Sequence, residues 1–413
     1  MKDQFVKKYG VAALVALITG SAYSASQDRI LVLEKQMAAA HAEIAALKGE
    51  KEDLSVLEEP VSRLSFGGYG EIHANIAESG SDQIDIHRLV MYVGYQFTDW
   101  IRLTSETELE HAYVNKDKGG GDLVIEQLYV DFLLSDAFNV RAGRVLAPLG
   151  IINQHHEPTL FNGVERPNVE KYIIPSTWSL DGVGIFGYPL SWLSYEAYAV
   201  AGLDDTGFSA KEGIRGGRIK ERQGLNDGAL TGRIDIFPMA SDEQDLRIGL
   251  SGYYGGTNNK NKGGDNTNNL DNVFTMISAD FEYNIACLRF RGLAAHGSNS
   301  DADMLAAVGV GDEIFGWYLE AGASVMPEAW QHGRLADADI IPFVRYEEYD
   351  TQHELPGGAS STGEYERTDI TVGANFLLTQ DFVVKADIQF ASNEASGSDT
   401  VVKYNLGMGW VFQ

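Results

Sequence analysis

The chain ends with VVKYNLGMGWVFQ, residues 401–413, and this stretch decides the fold. From Val402 to Phe412 every second residue is apolar, and the residues between them include Lys403 and Asn405. A period of two is the repeat of a β-strand, whose side chains alternate between two faces. One face of this strand is therefore apolar along its whole length, in a protein with a formal net charge of −27.

The same alternation recurs along the chain from residue 63 to the end. It is clearest in LSFGGYGEIHANI (64–76), HRLVMYVGYQF (87–97), NVFTMISADFEYN (272–284) and TDITVGANFLL (368–378). The opposite faces carry charge, for example at Glu106. A soluble β-sandwich alternates in the same way, so the pattern alone leaves the class open.

Strand length and connection length decide between the two classes. We count sixteen strands, many of them about 10 to 14 residues long, which suits tilted membrane strands. The connections alternate between tight turns, such as 98–99 and 379–381, and longer polar segments, such as 204–227 and 256–272. This arrangement is typical of outer-membrane barrels. The sequence therefore predicts an all-β fold, a 16-stranded antiparallel transmembrane β-barrel whose apolar rows face lipid around a water-filled lumen.

Composition excludes several other classes. Lys and Arg number 32 against 59 Asp and Glu, so the chain lacks the basic surface that nucleic-acid binding requires. Cys287 is the only cysteine, which excludes an intramolecular disulfide framework. GxSxG, P-loop and HExxH motifs are absent, and we expect neither an enzyme nor a bound cofactor.

The first sixty residues follow a different pattern. Residues 1–24 combine a basic start, the apolar segment GVAALVALITG and small residues at 22 and 24, which predicts a signal peptide cleaved before Ala25. Residues 25–60 show heptads, which predict a short periplasmic coiled-coil helix ahead of a barrel at 61–413. A single amphipathic helix packed on a neighbour is the alternative. The positions expected to associate are Ile30, Leu33, Met37, Ile44, Leu47 and Leu54.

One connection, residues 145–180, is long but is not a flexible linker. Its sequence VLAPLGIINQHHEPTLFNGVERPNVEKYIIPSTW (145–178) contains four prolines, and bulky residues such as Phe161 and Ile173 need something to pack on. Long loops of this composition are usually functional. We expect this one to fold inward and narrow the pore.

Residues 142–187 resemble the phosphate-selective porin O/P family of Gram-negative outer membranes. The resemblance lies in AGRVLAPLGIINQHHEP (142–158), GVERPNVEKYIIPSTW (163–178) and DGVGIFG (181–187), and the strand layout extends it to most of 63–413. It implies a homotrimer in the outer-membrane lipid bilayer, a third extracellular loop folded into each lumen, and passive diffusion of small polar or ionic solutes. Phosphate selectivity in that family depends on arginine and lysine residues lining the pore.

The predicted luminal faces of this chain carry both signs of charge. A mixed lumen produces a transverse field that orients polar solutes and does not collect anions. We therefore predict a general or weakly cation-preferring pore, with phosphate as one option among several. The residues expected to shape the lumen and constriction are Arg102, Glu106, Glu108, Arg141, Glu157, Arg166, Lys171, Arg233, Arg289 and Arg291.

Three alternatives stay open. Arg141, Arg289 and Arg291 could line an anion path or could brace the wall as ion pairs. The loop motif His155-His156-Glu157 invites a metal site, but spacing places no third ligand, so we expect a packing or constriction role and no metal. The barrel could also be structural or adhesive, with a plugged lumen, anchored by its coiled coil.

Overall fold

The computed structural model describes residues 63–78, 81–114, 120–241, 243–260, 271–301 and 309–412. They form a closed barrel in which sixteen antiparallel strands pair in chain order and the last pairs with the first. The strands are β1 (Leu64–Ala77), β2 (Gln83–Thr98), β3 (Ile101–Glu110), β4 (Leu123–Leu133), β5 (Asn139–Leu146), β6 (Ser179–Leu190), β7 (Leu193–Ala201), β8 (Gly228–Ala240), β9 (Gln244–Gly256), β10 (Val273–Ile285), β11 (Leu288–Asn299), β12 (Glu313–Ala323), β13 (Asp339–Glu354), β14 (Glu366–Thr379), β15 (Phe382–Asn393) and β16 (Val401–Phe412). The predicted all-β, sixteen-stranded antiparallel barrel is confirmed.

Helical structure within the described residues is limited to short turns. A four-residue helix, Val169–Tyr172, lies in the long loop, and 3₁₀ turns occupy Asp205–Gly207, Arg215–Gly217, Glu328–Trp330, Gly333–Leu335 and Pro356–Gly358. A helix long and apolar enough to cross a membrane is not found in the described part of the chain. The signal peptide and coiled coil predicted at 1–60 lie outside the described residues.

The C-terminal strand β16 closes the barrel between β15 and β1. Leu406 and Phe412 of its apolar row are 57% and 41% exposed on the outer surface, whereas Asn405 is 3% exposed and faces the lumen. Gly409 lies on the luminal face, where a side chain would overlap Pro158 of the long loop. The alternating rows therefore divide between the outer surface and the lumen as the sequence predicts.

The two ends of the barrel differ in their connections. Connections after even-numbered strands are tight except at 324–338, and the longest connections follow odd-numbered strands. The long loop runs from Ala147 to Trp178, which is shorter than the predicted 145–180, because 145–146 and 179–180 pair as the ends of β5 and β6. Both ends of the barrel sequence lie at the tight-turn end, so the long loop enters from the opposite end.

Two β-bulges break the alternation and turn an additional polar side chain inward. Opposite Glu71 of β1, the additional residue in β2 is His87. Opposite Glu106 of β3, the additional residue in β4 is Glu126. Strict alternation from the buried Asp131 would place Glu126 on the outer face, yet its side chain is 2% exposed and faces the lumen. Bulges commonly redirect side chains beside functional sites.

Candidate pore and its constriction

The long loop crosses the lumen, and one side of it packs against the wall as a dry apolar core. Leu149, Ile174 and Trp178 of the loop are fully buried. Their wall partners in the same cluster are Tyr253, Phe274, Met276, Leu293 and Tyr318, from β9 to β12. We call this the apolar side of the lumen. Close packing of apolar side chains leaves no room for a water-filled path here.

A buried carboxylate, Glu170, fixes the loop on the apolar side. It accepts hydrogen bonds from the backbone N–H groups of Ile151 at 2.8 Å and Ile152 at 2.6 Å, and from the hydroxyl of Tyr318 at 2.8 Å. Burial raises the pKa of Glu170 to about 7, although these hydrogen bonds act in the opposite direction. The loop is therefore tied both to itself and to β12 through one side chain.

Wall arginines hold the loop backbone by its carbonyl groups. Arg233 donates to the carbonyl of Gly150 at 2.8 Å, and Arg291 donates to that of Leu160 at 3.1 Å. Arg233 also pairs with Asp280 at 2.8 Å. Since hydrogen bonds from charged donors are stronger than neutral ones, these contacts fix where the loop crosses the barrel.

On the opposite side of the loop, the lumen opens into a cavity of about 820 Å³ at the long-loop end. Loop residues Glu165, Arg166 and Lys171 line it, together with His73 and Arg88 of the wall. His73 Nδ1 lies 3.3 Å from a carboxylate oxygen of Glu165. We call this the outer cavity. Burial lowers the pKa of Lys171.

Two smaller cavities, of about 520 and 300 Å³, lie on the tight-turn side of the loop and are called the inner cavities. Both are lined by Arg102 and Gln154. The first also reaches Glu157, whose carboxylate accepts a hydrogen bond from Tyr92 at 3.1 Å. The second reaches Arg141. Polar cavities therefore approach the loop from both ends of the barrel.

A buried layer of ionisable side chains separates the outer cavity from the inner cavities. Arg88 pairs with Glu71 at 3.2 Å and with Glu108 at 3.1 Å. Arg166 donates to the carbonyl of His156 at 3.2 Å. We call the two sets of cavities and this layer the polar side. The layer is the candidate constriction, because charged groups separate water-accessible space here and no apolar core does.

The loop side of this layer ends in a compact group of three residues. His156 Nε2 lies 3.3 Å from Glu106 Oε1 and 3.4 Å from Glu126 Oε2. Burial alone would lower the pKa of His156, but the two carboxylates beside it raise that pKa to about 10. The other ring nitrogen, Nδ1, lies 3.0 Å from the carbonyl oxygen of Asn153.

The structure distributes the predicted site residues over several places. The residues near the buried layer are Glu106, Glu108, Glu157 and Arg166; Lys171 lines the outer cavity; and Arg102, Arg141 and Arg233 line the inner cavities. Arg289 and Arg291 lie in β11, toward the apolar side. A role at the constriction therefore stays a proposal for the four residues near the buried layer, and the others line the lumen elsewhere.

Arg141, Arg289 and Arg291 could either line an anion path or form ion pairs in the wall, and in the structure all three have acidic partners. Arg141 Nε lies 2.7 Å from Asp131, which also pairs with Arg102. Arg289 lies 3.5 Å from Asp339. The pairs with Asp131 join neighbouring strands, the Arg289 pair joins β11 to β13, and the charges are largely balanced locally.

Sequence reasoning missed two inward residues, His87 and Glu126. The bulges that aim them inward depend on cross-strand pairing, for which a single sequence gives no signal. The inward positions of Glu71, Arg88 and Asp131 follow from alternation, because these residues lie on faces opposite apolar rows.

Comparison with solved structures defines the class of fold. The barrel is similar to OmpF of Salmonella typhi in complex with daunomycin (TM-score 0.56, 9% identity, 84% of this chain and 97% of that chain). It is also similar to the outer-membrane channel DcaP of Acinetobacter baumannii (0.51, 10%, 84% and 97%) and to an anion-selective porin from Comamonas acidovorans (0.50, 12%, 84% and 99%). At these identities the likeness shows the fold alone, which is that of sixteen-stranded outer-membrane porins.

A sequence relative shows the family. Over 366 residues the chain is 30% identical to an uncharacterized protein of Aquifex aeolicus, covering 84% of this chain and 80% of that protein, and it belongs to the same family. No family model matches the chain. The resemblance to the phosphate-selective porin O/P family therefore stays a prediction.

Proposed function

We propose that the protein is an outer-membrane porin that admits small hydrophilic solutes or ions by passive diffusion. The conducting path runs along the polar side of the lumen, between β1–β4 and the long loop. The observation that carries this proposal is the set of three polar cavities, one outer and two inner, that approach the loop from both ends of the barrel on either side of one charged layer. Because the apolar side is packed, the path has only this side of the loop to follow.

The charge of the outer cavity argues for weak ion preference. Its lining includes seven Asp or Glu, seven Lys or Arg, and three His side chains. The acidic residues are Glu71, Asp85, Glu110, Glu165, Glu364, Asp369 and Asp399; the Lys and Arg residues are Arg88, Arg166, Lys171, Lys211, Arg215, Arg367 and Lys403; the histidines are His73, His87 and His111. A balanced lining orients dipolar solutes and gives neither sign of ion a deep well. We propose a general pore, with phosphate as one admissible solute.

The outer surface supports a position in a lipid bilayer. Apolar side chains stand outward along successive strands, including Phe66, Leu230 and Leu250, each more than half exposed. Aromatic residues such as Trp100 and Trp192 lie beside tight turns, where a membrane interface favours them. A homotrimer, with the predicted coiled coil at 25–60 on its periplasmic side, completes the proposal.

Planar-bilayer recording tests the porin function. The folded, detergent-purified protein is expected to insert in discrete conductance steps, commonly in threes, and a salt gradient should give a small reversal potential. Correctly folded protein that leaves the bilayer silent at all voltages would refute it.

A structural barrel with a plugged lumen is the second candidate. It is favoured by the loop's attachment to opposite walls, through Asn162 to Glu320 at 2.8 Å and through Gln154 to Glu196 at 3.0 Å. The same recording separates the two candidates, because a plugged barrel gives no steps until its loop is removed.

A further inference from the structure

We propose that Glu106, Glu126 and His156 form a binding site for a divalent transition metal of the zinc class, which joins the long loop to the barrel wall. One ligand atom from each residue lies within 4.8 Å of the other two. Each residue is at most 2% exposed. The inference goes beyond the proposed function, since metal binding is measurable whether or not the barrel conducts.

The distances fit a metal better than they fit direct hydrogen bonds. The imidazole Nε2 stands 3.3 Å from one carboxylate and 3.4 Å from the other, and Glu106 Oε1, Glu126 Oε2 and His156 Nε2 have no well-oriented hydrogen-bond partner among the described residues. Two ligands at zinc bond lengths of about 2.0–2.1 Å in a tetrahedron are about 3.3–3.4 Å apart. The imidazole nitrogen therefore has, from each carboxylate oxygen, the separation that one shared cation imposes, and the ligand atoms all lie within 4.8 Å of one another.

The imidazole is oriented as metal-binding histidines usually are. His156 Nδ1 lies 3.0 Å from the backbone carbonyl of Asn153, which can only accept a hydrogen bond, so Nδ1 carries a proton. In the neutral ring the lone pair is then on Nε2, the atom that faces both carboxylates. A carbonyl that fixes the tautomer in this way is a common outer partner of a metal ligand.

The charge of the group also calls for a cation. Within the described ranges, no Arg or Lys lies within ion-pair distance of either Glu106 or Glu126, whereas Arg88 already serves Glu71 and Glu108. A metal at Nε2 takes the place of the proton there, and the two carboxylates and the neutral imidazole then carry two negative charges, which a divalent cation balances. Nitrogen and carboxylate donors together suit zinc better than calcium or magnesium, which prefer oxygen alone.

The backbone supports the site as well. Glu126 reaches the lumen only because a β-bulge in β4 adds one residue opposite Glu106. A bulge disrupts the hydrogen-bond ladder, so one that brings a second carboxylate beside the first has a cost that ligand binding would offset. The first inner cavity, lined by Glu106 and His156, gives the metal an entry route.

The expected consequence of metal binding is a cross-link between the long loop and the polar side of the wall. His156 is in the loop, whereas Glu106 and Glu126 are on β3 and β4. A bound metal would hold the loop against these two strands at the layer that separates the outer and inner cavities.

Zinc titration of the full-length, folded, chelator-stripped protein in detergent tests the site. The wild type is expected to bind one zinc per barrel, and cobalt(II) in its place should show the intense visible bands of a four-coordinate site. Glu126→Gln and His156→Ala should each weaken zinc binding at least tenfold. His155→Ala, which changes the neighbouring histidine outside the group, should bind as the wild type does.

Two further variants make the result decisive. Arg166→Ala removes the cation held by the His156 carbonyl and should strengthen zinc binding. His87→Ala alters a second group, Asp85, His87 and His111, at the rim of the outer cavity. The proposal is overturned if the wild type binds no stoichiometric zinc, or if Glu126→Gln, confirmed as folded by its resistance to heat and detergent on a gel, binds zinc as tightly as the wild type. It is equally overturned if only His87→Ala abolishes binding.

Discussion

The two sides of the lumen are built from the same loop but by opposite means. On the apolar side, Trp178 and its neighbours pack against β9–β12 with their surface fully buried. On the polar side, the loop meets β1–β4 through charged and hydrogen-bonding groups between cavities. Apolar packing is lost all at once when a loop lifts, whereas polar groups can exchange protein partners for water. Any opening therefore occurs on the polar side while the apolar side acts as the anchor.

The largest effect is expected from removing the loop that creates both sides. Replacing residues 149–176 by a short Gly-Ser linker should raise single-channel conductance several-fold, because it removes the layer between the cavities. Planar-bilayer recording measures the change, with heat-modifiable gel migration as the control for a folded barrel. Unchanged conductance would mean that the loop does not limit the path.

One substitution on each side of the lumen compares the stability that the two sides contribute. Trp178→Ala should lower the free energy of unfolding by about 3–5 kcal/mol, because it leaves a large cavity in a fully buried core. Glu157→Gln on the polar side replaces the charge-assisted hydrogen bond from the Tyr92 hydroxyl by a neutral one and should cost only about 1 kcal/mol. Reversible urea unfolding in detergent compares the two, and equal losses would remove the distinction between anchor and polar side.

Stability should also depend on pH through Glu170 on the apolar side. Its pKa is raised by burial from 4.5 to about 7, so the folded state binds the proton more tightly than the unfolded state does. The stabilisation is fully present below about pH 4.5 and is lost as the pH rises to about 7, which amounts to on the order of 3 kcal/mol. Unfolding measured at several pH values should show this slope in the wild type.

Glu170→Gln is the control for that pH dependence. Glutamine does not titrate, so its slope between pH 4.5 and 7 should be smaller than that of the wild type. An identical slope in both proteins would assign the pH dependence to other groups.

The smallest effect is a shift of ion preference that depends on the side. Arg166→Ala on the polar side should move the reversal potential toward cations, because Arg166 lines the outer cavity. Arg291→Ala also removes one positive charge, but from the side of the loop that faces β11. Arg291 contacts Leu160, Glu282 and Glu320 there, so its loss should leave the reversal potential unchanged. A larger shift of the reversal potential from Arg291→Ala than from Arg166→Ala would contradict a conducting path on the polar side of the loop.

Much of the barrel could be predicted from the sequence, because each strand carries its own two-residue period. Leu406 outward and Asn405 inward follow from alternation alone, and sixteen strands follow from counting such segments. The period fails at His87 and Glu126, since a bulge is set by the pairing of two strands.

The site was less predictable for a related reason. The prolines and bulky side chains of the loop indicate inward packing, and in the structure the loop crosses the lumen and packs against β9–β12. Its attachment points join residues far apart in sequence, such as Val164, whose N–H donates to Asp387 at 2.7 Å across 223 positions. A single sequence gives no signal for such contacts. The expectation of no metal at His155-His156-Glu157 considered only ligands close in sequence, whereas the proposed site joins His156 to Glu106 and Glu126.

Cysteine labelling tests the division of the lumen most directly. With Cys287→Ser as background, Arg166→Cys introduces a thiol on the polar side and Ile174→Cys introduces one in the fully buried apolar side. A charged, water-soluble methanethiosulfonate reagent added during bilayer recording should react rapidly with the thiol at position 166 and reduce the current, and should leave the protein with a thiol at position 174 unaffected. Rapid reaction at 174, or a current insensitive to labelling at 166, would contradict a sealed apolar side and a conducting polar side.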